Sequence, residues 1–460
     1  MKYVMKFGGT SVKNAGYNKI CELLSDYKDD KTVIVVSALR GVTDGLFEAT
    51  KKAEHGDEKW VKNFLAELRE THRSIVRSSI GKVPSVLEER LAKADYELEH
   101  VLYGILYLKE VTLRSLDYLV SFGERYSSEI AATTLSSNGF PAKPFTGGDV
   151  GIITDDRFGE ATPIMNITIE NIKTKIDPLL EKGIIPVVGG FSGVTKDGII
   201  TTFGRGGSDY TATIIANAVD ADEVIIWSDV DGIMTSDPKI VPNAITVPEI
   251  TYDEAVEMAV LGAKSLHPRS LEPVIEKKIS VRLKNTFNPT HSGTLIVNKT
   301  TQPAHSVIKV ISLIKDVGML TIRGTSMVGE TGMAAKFFAR LGERKVNIMM
   351  ISQSVSESNI SIVIKRQLLD KACQALNESF VTDAKKIEIE PDISVIATVG
   401  EGMKGTPGVA ARMFKAVADA GVNVRMIAQG SSELNVSFVV NELDSIKGVR
   451  ALHREFIEKS

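Results

Sequence analysis

The chain has 460 residues, with 58 acidic and 55 basic side chains and a formal net charge of −3. That length exceeds what one simple core organises and points to two or three domains, while the near-balanced charge gives no electrostatic footprint for nucleic acid. No apolar run approaches a membrane span, no signal-like core opens the chain, and Cys21 and Cys373 form no metal or redox spacing, so a reducing, cytoplasmic setting is expected.

The chain opens as strand, glycine turn, helix and strand: Val4–Phe7, then a predicted helix over Asn14–Asp26, then Thr32–Ser37, an apolar run suited to burial on both faces. Similar runs at Ile184–Val188 and Glu223–Ser228 predict an α/β domain with a mainly parallel sheet between helices. At the end of the first strand, Lys6 precedes Gly8 and Gly9, one cation and two glycines where exposed N–H groups suit a polyphosphate. The order is not that of a Walker A loop or a dinucleotide loop, and taken alone it also fits an ordinary strand-to-helix turn. Glu58–Ile80 and Val86–Leu108 carry Leu, Val, Ile and Tyr at helical spacing with a break near Pro84, which predicts two antiparallel helices within an insertion over 57–118.

Turn-rich sequence at Asn288–Gly293 and a polar stretch after it place the main boundary near 299, leaving 1–298 as one domain. Beyond it the chain repeats itself at a constant offset of 76: Gly324 with Gly400, Gly329 with Gly405, Asn347 with Asn423, Gln353 with Gln429, Glu357 with Glu433. Each copy reads as a ferredoxin-like β-α-β-β-α module, with first strands at Leu320–Arg323 and Val395–Val399 and helices at Ala334–Gly342 and Ala410–Ala420. Second helices follow at Leu368–Phe380 and Ser445–Glu458, and Lys386–Glu390 supplies a last strand to the first copy alone. The spare apolar run Val307–Ile314 is therefore expected to complete the second copy, intertwining module 299–391 with module 392–460.

Four more clusters join the first: Ser121–Arg125 (SFGER), Thr201–Asp209 (TTFGRGGSD), Ser228–Gly232 (SDVDG) and Gly262–Lys264 (GAK). With KFGGTSV at the start, these strings in this order resemble the aspartokinases of the amino-acid-kinase family, and the paired repeats resemble their ACT domains. The resemblance spans nearly the whole chain. Singly, each string also reads as a surface pair, a turn, a flexible loop or a solvated lysine.

The resemblance implies transfer of the γ-phosphoryl group of ATP to the side-chain carboxylate of L-aspartate, with Mg2+. A carboxylate nucleophile is ionised at neutral pH and needs no general base, so the task is to bring two anions together with cations and aimed N–H groups. On that footing Lys6, Asp209 and Lys264 are the catalytic candidates. Lys6, Phe7, Gly8, Gly9, Ser11, Trp227, Ser228, Asp229, Met234, Lys239 and Lys264 would lie near the nucleotide. Ser37, Thr43, Glu124, Arg205, Gly206, Gly207 and Ser208 would hold the amino acid, with the Arg205 fork on its α-carboxylate and Glu124 on its α-ammonium. Asp209 would organise Lys6 or hold metal through water, and no dedicated protein metal site is expected. His267 beside Pro268 reads as a packing or capping residue.

Feedback control by an amino acid follows from the same resemblance, with Asn347, Ile351, Gln353, Asn423, Ile427 and Gln429 as the effector candidates. Threonine is favoured over lysine, because Met349 and Arg425 stand where lysine-responsive relatives carry an acid, although Glu357 and Glu433 leave lysine open. A homodimer or dimer of dimers through the ACT modules is expected, and the end of the chain after the second repeat suggests a monofunctional kinase. Another kinase of the same fold, or a catalytically silent amino-acid sensor, are the alternatives.

Overall fold

The computed structural model describes residues 1–260, 266–300, 307–324, 327–380 and 386–459, which form two compact units. The first contains Met1–Ile233, Pro248–Tyr252 and 266–300; the second contains Met234–Val247, 253–260 and the described residues from 307 onward.

An eight-stranded sheet organises the first unit, in the order Ala142–Phe145, Ile185–Gly189, Lys31–Val36, Lys2–Phe7, Glu223–Ser228, Ser280–Asn285, Thr294–Val297, Glu249–Thr251. Lys2–Phe7 lies at its middle, parallel to Lys31–Val36 and Glu223–Ser228, with Lys6 opposite Val35 on one side and Ile226 on the other. Both faces are covered, which is why Val33, Ile34, Val35 and Val36 are all buried and the run lacks alternation. The carboxyl ends of these three strands open at Gly8, Ser37 and Asp229, where open parallel sheets place their ligands. One expected element differs: the helix over 14–26 is two helices, Gly9–Ala15 and Asn18–Leu24, parted at Gly16 with φ +64°. The first begins at the glycine pair because a Cβ on Gly9 would stand 2.3 Å from the Ala38 carbonyl oxygen, so chain entry there is possible only without a side chain.

The insertion consists of helices Glu58–Ile80 and Ser85–Leu108, whose buried stripes Val61, Leu65, Leu68, Val76 and Leu87, Leu91, Leu98, Leu102 join the main core. Within these two helices the buried acid Asp95 is neutralised by Arg73 at 2.9 Å and receives the Tyr126 hydroxyl at 2.8 Å.

The second unit is built on a six-stranded sheet in the order Met350–Gln353, Asn359–Lys365, Val310–Arg323, Lys386–Val399, Asn435–Asn441, Val424–Gln429. Its two central strands each run 14 residues and serve both modules. Val310–Ile314 pairs with Val395–Val399 in the second module, and Met319–Arg323 pairs with Lys386–Glu390 in the first. A bulge between Ile314 and Val317, with Asp316 at φ +57°, separates the halves.

A boundary at 298 follows the chain, whereas packing does not. Segment 234–247 and the helix from Tyr252 belong with the repeats: Ile240 and Val241 sit in one core with Met413, Val449 and Leu452. The Ile311 N–H donates to the Thr235 carbonyl at 2.8 Å. Glu254, fully buried, pairs with Lys309 at 2.7 Å and accepts the Glu401 N–H at 2.6 Å, partners that help make a buried charge tolerable.

Candidate active site

The site grows from the three strand ends. Lys6 faces Asp209, with Nζ 2.6 Å from a carboxylate oxygen and both side chains mostly shielded from water. Asp209 lies in the first turn of helix Gly207–Ala218, which is buried on every side and starts from Gly206 at φ +75°. A Cβ on Gly8 would lie 3.9 Å from the Lys6 ammonium, so that cation stands over the glycine pair.

Glu124 comes from the first turn of helix Phe122–Ser137 and is 4% exposed. One carboxylate oxygen accepts the Ala38 N–H at 3.1 Å; the other is buried and has no hydrogen-bond partner. Burial pushes its pKa up to about 8, against the pull of the Ala38 N–H and the nearby charge of Lys6. The adjacent Arg125 turns away to Glu97 at 2.7 Å and lies over the Phe122 ring at 4.1 Å, so the two are not a surface ion pair.

Two glycines that the sequence analysis passed over close the ring. A Cβ on Gly189 would meet the Glu124 carbonyl oxygen at 2.8 Å, and one on Gly190 would meet the Ser208 Cβ at 2.7 Å. Lys6, Gly8, Gly9, Ala38, Glu124, Gly189, Gly190, Ser208 and Asp209 are therefore linked by successive close approaches around the sheet's carboxyl edge. Their signal was an apolar strand running into Gly-Gly, the same pattern that marked Gly8 and Gly9. Ser37 and Thr43 are half-buried beside this ring, Ser37 holding the Phe7 carbonyl through its N–H at 3.1 Å. Arg205 is exposed, and among the described residues nothing pairs with its guanidinium. Gly206 after it can only be glycine, since a Cβ there would stand 2.7 Å from the Cβ of His267; His267 packs against that loop.

Several nucleotide candidates can act only through backbone. The Phe7 and Trp227 rings stack at 6.1 Å within the core, and the Ser11 hydroxyl is held by Thr286 at 2.8 Å and the Trp227 carbonyl at 3.4 Å. Ser228 is half-buried and Asp229 exposed in the turn that follows. Asp231 in that turn is anchored by Asn285 and Asn288 at 2.9 and 3.0 Å. Met234 and Lys239 belong to the second unit, where Met234 takes a 3.5 Å contact from the Thr246 hydroxyl and Lys239 is exposed. Lys264 lies outside the described residues.

In the second unit Asn347, Ile351, Gln353, Asn423, Ile427 and Gln429 are all exposed, on or beside the two edge strands. Gln353 lines a cavity of about 300 Å3 in the first module, together with Gly329, Glu330, Gly332 and Glu357. Glu357 and its counterpart Glu433 share a rare left-handed backbone, φ +55° and +56°, and each accepts a loop N–H, from Gly329 at 2.9 Å and Gly405 at 2.7 Å. The counterpart loop of the second module meets helix Tyr252–Val260 instead: Glu257 takes the Asn435 amide at 3.2 Å.

A parallel sheet with a buried Lys–Asp pair and glycines at its carboxyl edge, joined to tandem ferredoxin-like modules, defines a phosphotransferase of regulated type. The amino acid kinase family model matches residues 1–285, and the ACT domain model matches 320–380 and 396–456. Aspartokinase 1, chloroplastic, of Arabidopsis thaliana is 36% identical over 470 residues, covering 99% of this chain and 80% of that protein. E. coli aspartokinase III, solved with aspartate and ADP, superposes with a TM-score of 0.83 at 28% identity, covering 99% of each chain. The same enzyme solved with lysine and aspartate also matches at TM-score 0.83 and 29% identity, again covering 99% of each chain. The chain belongs to the aspartokinase family, a class of ATP-dependent kinases. Among the described residues no helix is long and apolar enough to cross a membrane.

Proposed function

We propose that the protein transfers the γ-phosphoryl group of ATP to the side-chain carboxylate of L-aspartate, giving 4-phospho-L-aspartate and ADP. The observation that carries this reading is the buried Lys6–Asp209 pair set beside a Glu124 carboxylate with one unsatisfied oxygen. A bond forms between a β-carboxylate oxygen and the γ-phosphorus as the bond from phosphorus to the bridging oxygen breaks, and ADP leaves with that electron pair. Lys6 and the Gly8 and Gly9 amides would draw charge from the transferred group, Asp209 holding Lys6 in place. The unsatisfied oxygen of Glu124 would take the α-ammonium, and the free guanidinium of Arg205 the α-carboxylate.

Among the described residues no group of three metal-ligating side chains occurs. Mg2+ would be carried on the triphosphate and water, with Asp209 as the nearby acid. The metal supplies further charge neutralisation when bound. The unbridged thiols Cys21 and Cys373 suit the expected reducing cytoplasm.

Regulation by an amino acid belongs to the same reading. The cavity at Gln353 lies against the N-terminus of helix Met333–Glu343, which suits a carboxylate, while Glu330 and Glu357 suit an ammonium. Glu330, also paired with Lys336 at 3.2 Å, and Glu357 in its wall keep lysine, bound by the E. coli neighbour, open beside the threonine that the sequence favours. The edge strands, with Ile351 and Ile427 about half exposed, are the surfaces through which a homodimer or dimer of dimers would form.

The test is ADP release and hydroxamate formation with hydroxylamine, using ATP, Mg2+ and L-aspartate, titrated with lysine and separately with threonine. Absence of both products sinks the kinase reading in favour of a silent sensor. Equal turnover with glutamate or carbamate moves it to another kinase of the fold. Indifference to both amino acids removes the regulatory part.

A further inference from the structure

Asp117 is a buried acid that the proposed chemistry does not use. It lies on helix Leu113–Val120, started by a Thr112–Ser115 capping box, and is 2% exposed. Its carboxylate accepts three hydrogen bonds from two distant segments: the Thr202 N–H at 2.8 Å, the Thr202 hydroxyl at 2.7 Å and the Gly159 N–H at 2.9 Å. No cation pairs with it among the described residues, so this buried charge is stabilised wholly by those donors.

Both segments lead to Arg205. Thr202 ends the strand Ile200–Thr202, and the chain then passes through Phe203 and Gly204 to the guanidinium. Gly204, at φ +73°, touches the Gly159 turn so closely that a Cβ would stand 2.9 Å from the Gly159 carbonyl oxygen. The Thr202 carbonyl in turn accepts the Ala161 N–H at 2.9 Å. One carboxylate therefore fixes the strand before Arg205 and the turn that supports its loop. Among the described residues Arg205 has no side-chain partner, so the loop is what sets its place.

Seven residues after Asp117 on the same segment stands Glu124, and the two helices that carry them join at Ser121, whose N–H caps the Asp117 carbonyl at 3.2 Å. We propose that Asp117 is a positioning residue: it ties the Arg205 loop to the helix pair carrying Glu124, fixing the span between the groups that read the carboxylate and ammonium of the acceptor amino acid. This rests on the reading of Arg205 and Glu124 given above. Loss of the tie loosens recognition of the amino-acid head and leaves nucleotide binding largely unchanged, because Lys6 lies on the central strand and Asp209, although it follows the Arg205 loop, is held in a helix buried on every side.

The experiment measures KM for aspartate, KM for ATP and kcat, by coupled ADP detection, in Asp117→Ala, Asp117→Asn, Thr202→Val, Arg205→Ala and the double variant Asp117→Ala/Arg205→Ala. Asp117→Ala is expected to raise KM for aspartate by about tenfold, with KM for ATP changed by less than about twofold. Asp117→Asn should recover most of the loss, since an amide oxygen accepts both N–H groups and its NH2 meets the Thr202 hydroxyl. Thr202→Val removes one bond without a buried cavity and should raise KM for aspartate by about threefold, which keeps the test alive if Asp117→Ala does not fold. In the Arg205→Ala background, Asp117→Ala should add less than about twofold.

Parallel rises in both KM values, full multiplicativity with Arg205→Ala, or no rescue by Asn overturns the proposal. A raised aspartate KM in Arg205→Ala with normal values in Asp117→Ala and Thr202→Val overturns it alone. A normal aspartate KM in Arg205→Ala overturns the reading of Arg205 and this proposal with it.

Discussion

The two ends of the catalytic edge are prepared differently. At the end proposed for the phosphates, Lys6 is already paired with Asp209 at 2.6 Å, and Gly9 beside it is fixed by contacts too close for any side chain. At the end proposed for the amino acid, Glu124 keeps one buried oxygen without a partner, and among the described residues Arg205 is unpaired. The first arrangement holds a cation in position before the reaction, so little reorganisation accompanies charge development in the transition state. The second leaves a desolvated acceptor that only a suitable donor can satisfy, and a substrate lacking an α-ammonium leaves that deficit in place. On the proposed function, preorganisation serves rate at one end and incompleteness serves choice at the other.

Changing Lys6 to Met tests the first half and should have the largest effect. It removes the cation and leaves Asp209 buried without its partner, so kcat should fall by about 10³, with KM for aspartate changed far less. Rapid-quench single-turnover kinetics separates the chemical step from product release. A fall confined to either KM would contradict preorganisation at this end. Changing Arg205 to Lys tests the second half. Charge is kept and the planar fork is lost, so KM for aspartate should rise by about thirtyfold while kcat at saturation stays within about threefold. Steady-state titration of both substrates checks it, and an equal loss in kcat would merge the two ends into one function.

These ends were not equally legible. The fold could be read because the strands Lys31–Val36 and Glu223–Ser228 are continuous apolar runs and because the repeats share one spacing. Lys6, Gly8 and Gly9 lie in one short string, ambiguous alone but legible once the four other strings follow it in order. Asp117, Ala38, Gly189 and Gly190 were missed because they act through backbone or across the fold: Asp117 and Thr202 are 85 residues apart, and no periodicity announces that contact. The helix over 14–26 was drawn through Gly16, whose left-handed φ breaks it. Packing departs from a boundary at 298 for a related reason. Composition changes there, but the allegiance of 234–247 and of the helix from Tyr252 is set by buried partners such as Lys309 for Glu254, which lies 55 residues away.

Glu124 offers the subtlest test of the comparison, because the incompleteness of its end has a pH signature. Burial raises its carboxyl to about 8, from an ordinary value of 4.5, so most of the ligand-free protein at pH 7 carries it protonated. An ammonium binds the ionised form. The apparent affinity for aspartate is therefore reduced by the ionised fraction, about one in eleven at pH 7 for a carboxyl titrating at about 8. KM for aspartate should fall about tenfold between pH 7 and pH 9, levelling as ionisation completes, with KM for ATP following a different course. Stability should move opposite to affinity, falling as pH rises. Because the folded value lies above the unfolded one, this group's contribution to the ligand-free protein is full below about 4.5 and is lost as pH rises through about 8. Saturating aspartate should flatten that loss, since the bound ammonium supplies the missing donor. Glu124→Gln keeps the shape and abolishes the titration, so its KM, although raised, should be level across the same range. A wild-type KM that is itself level from pH 7 to pH 9 would show that the unsatisfied oxygen is not where the ammonium binds.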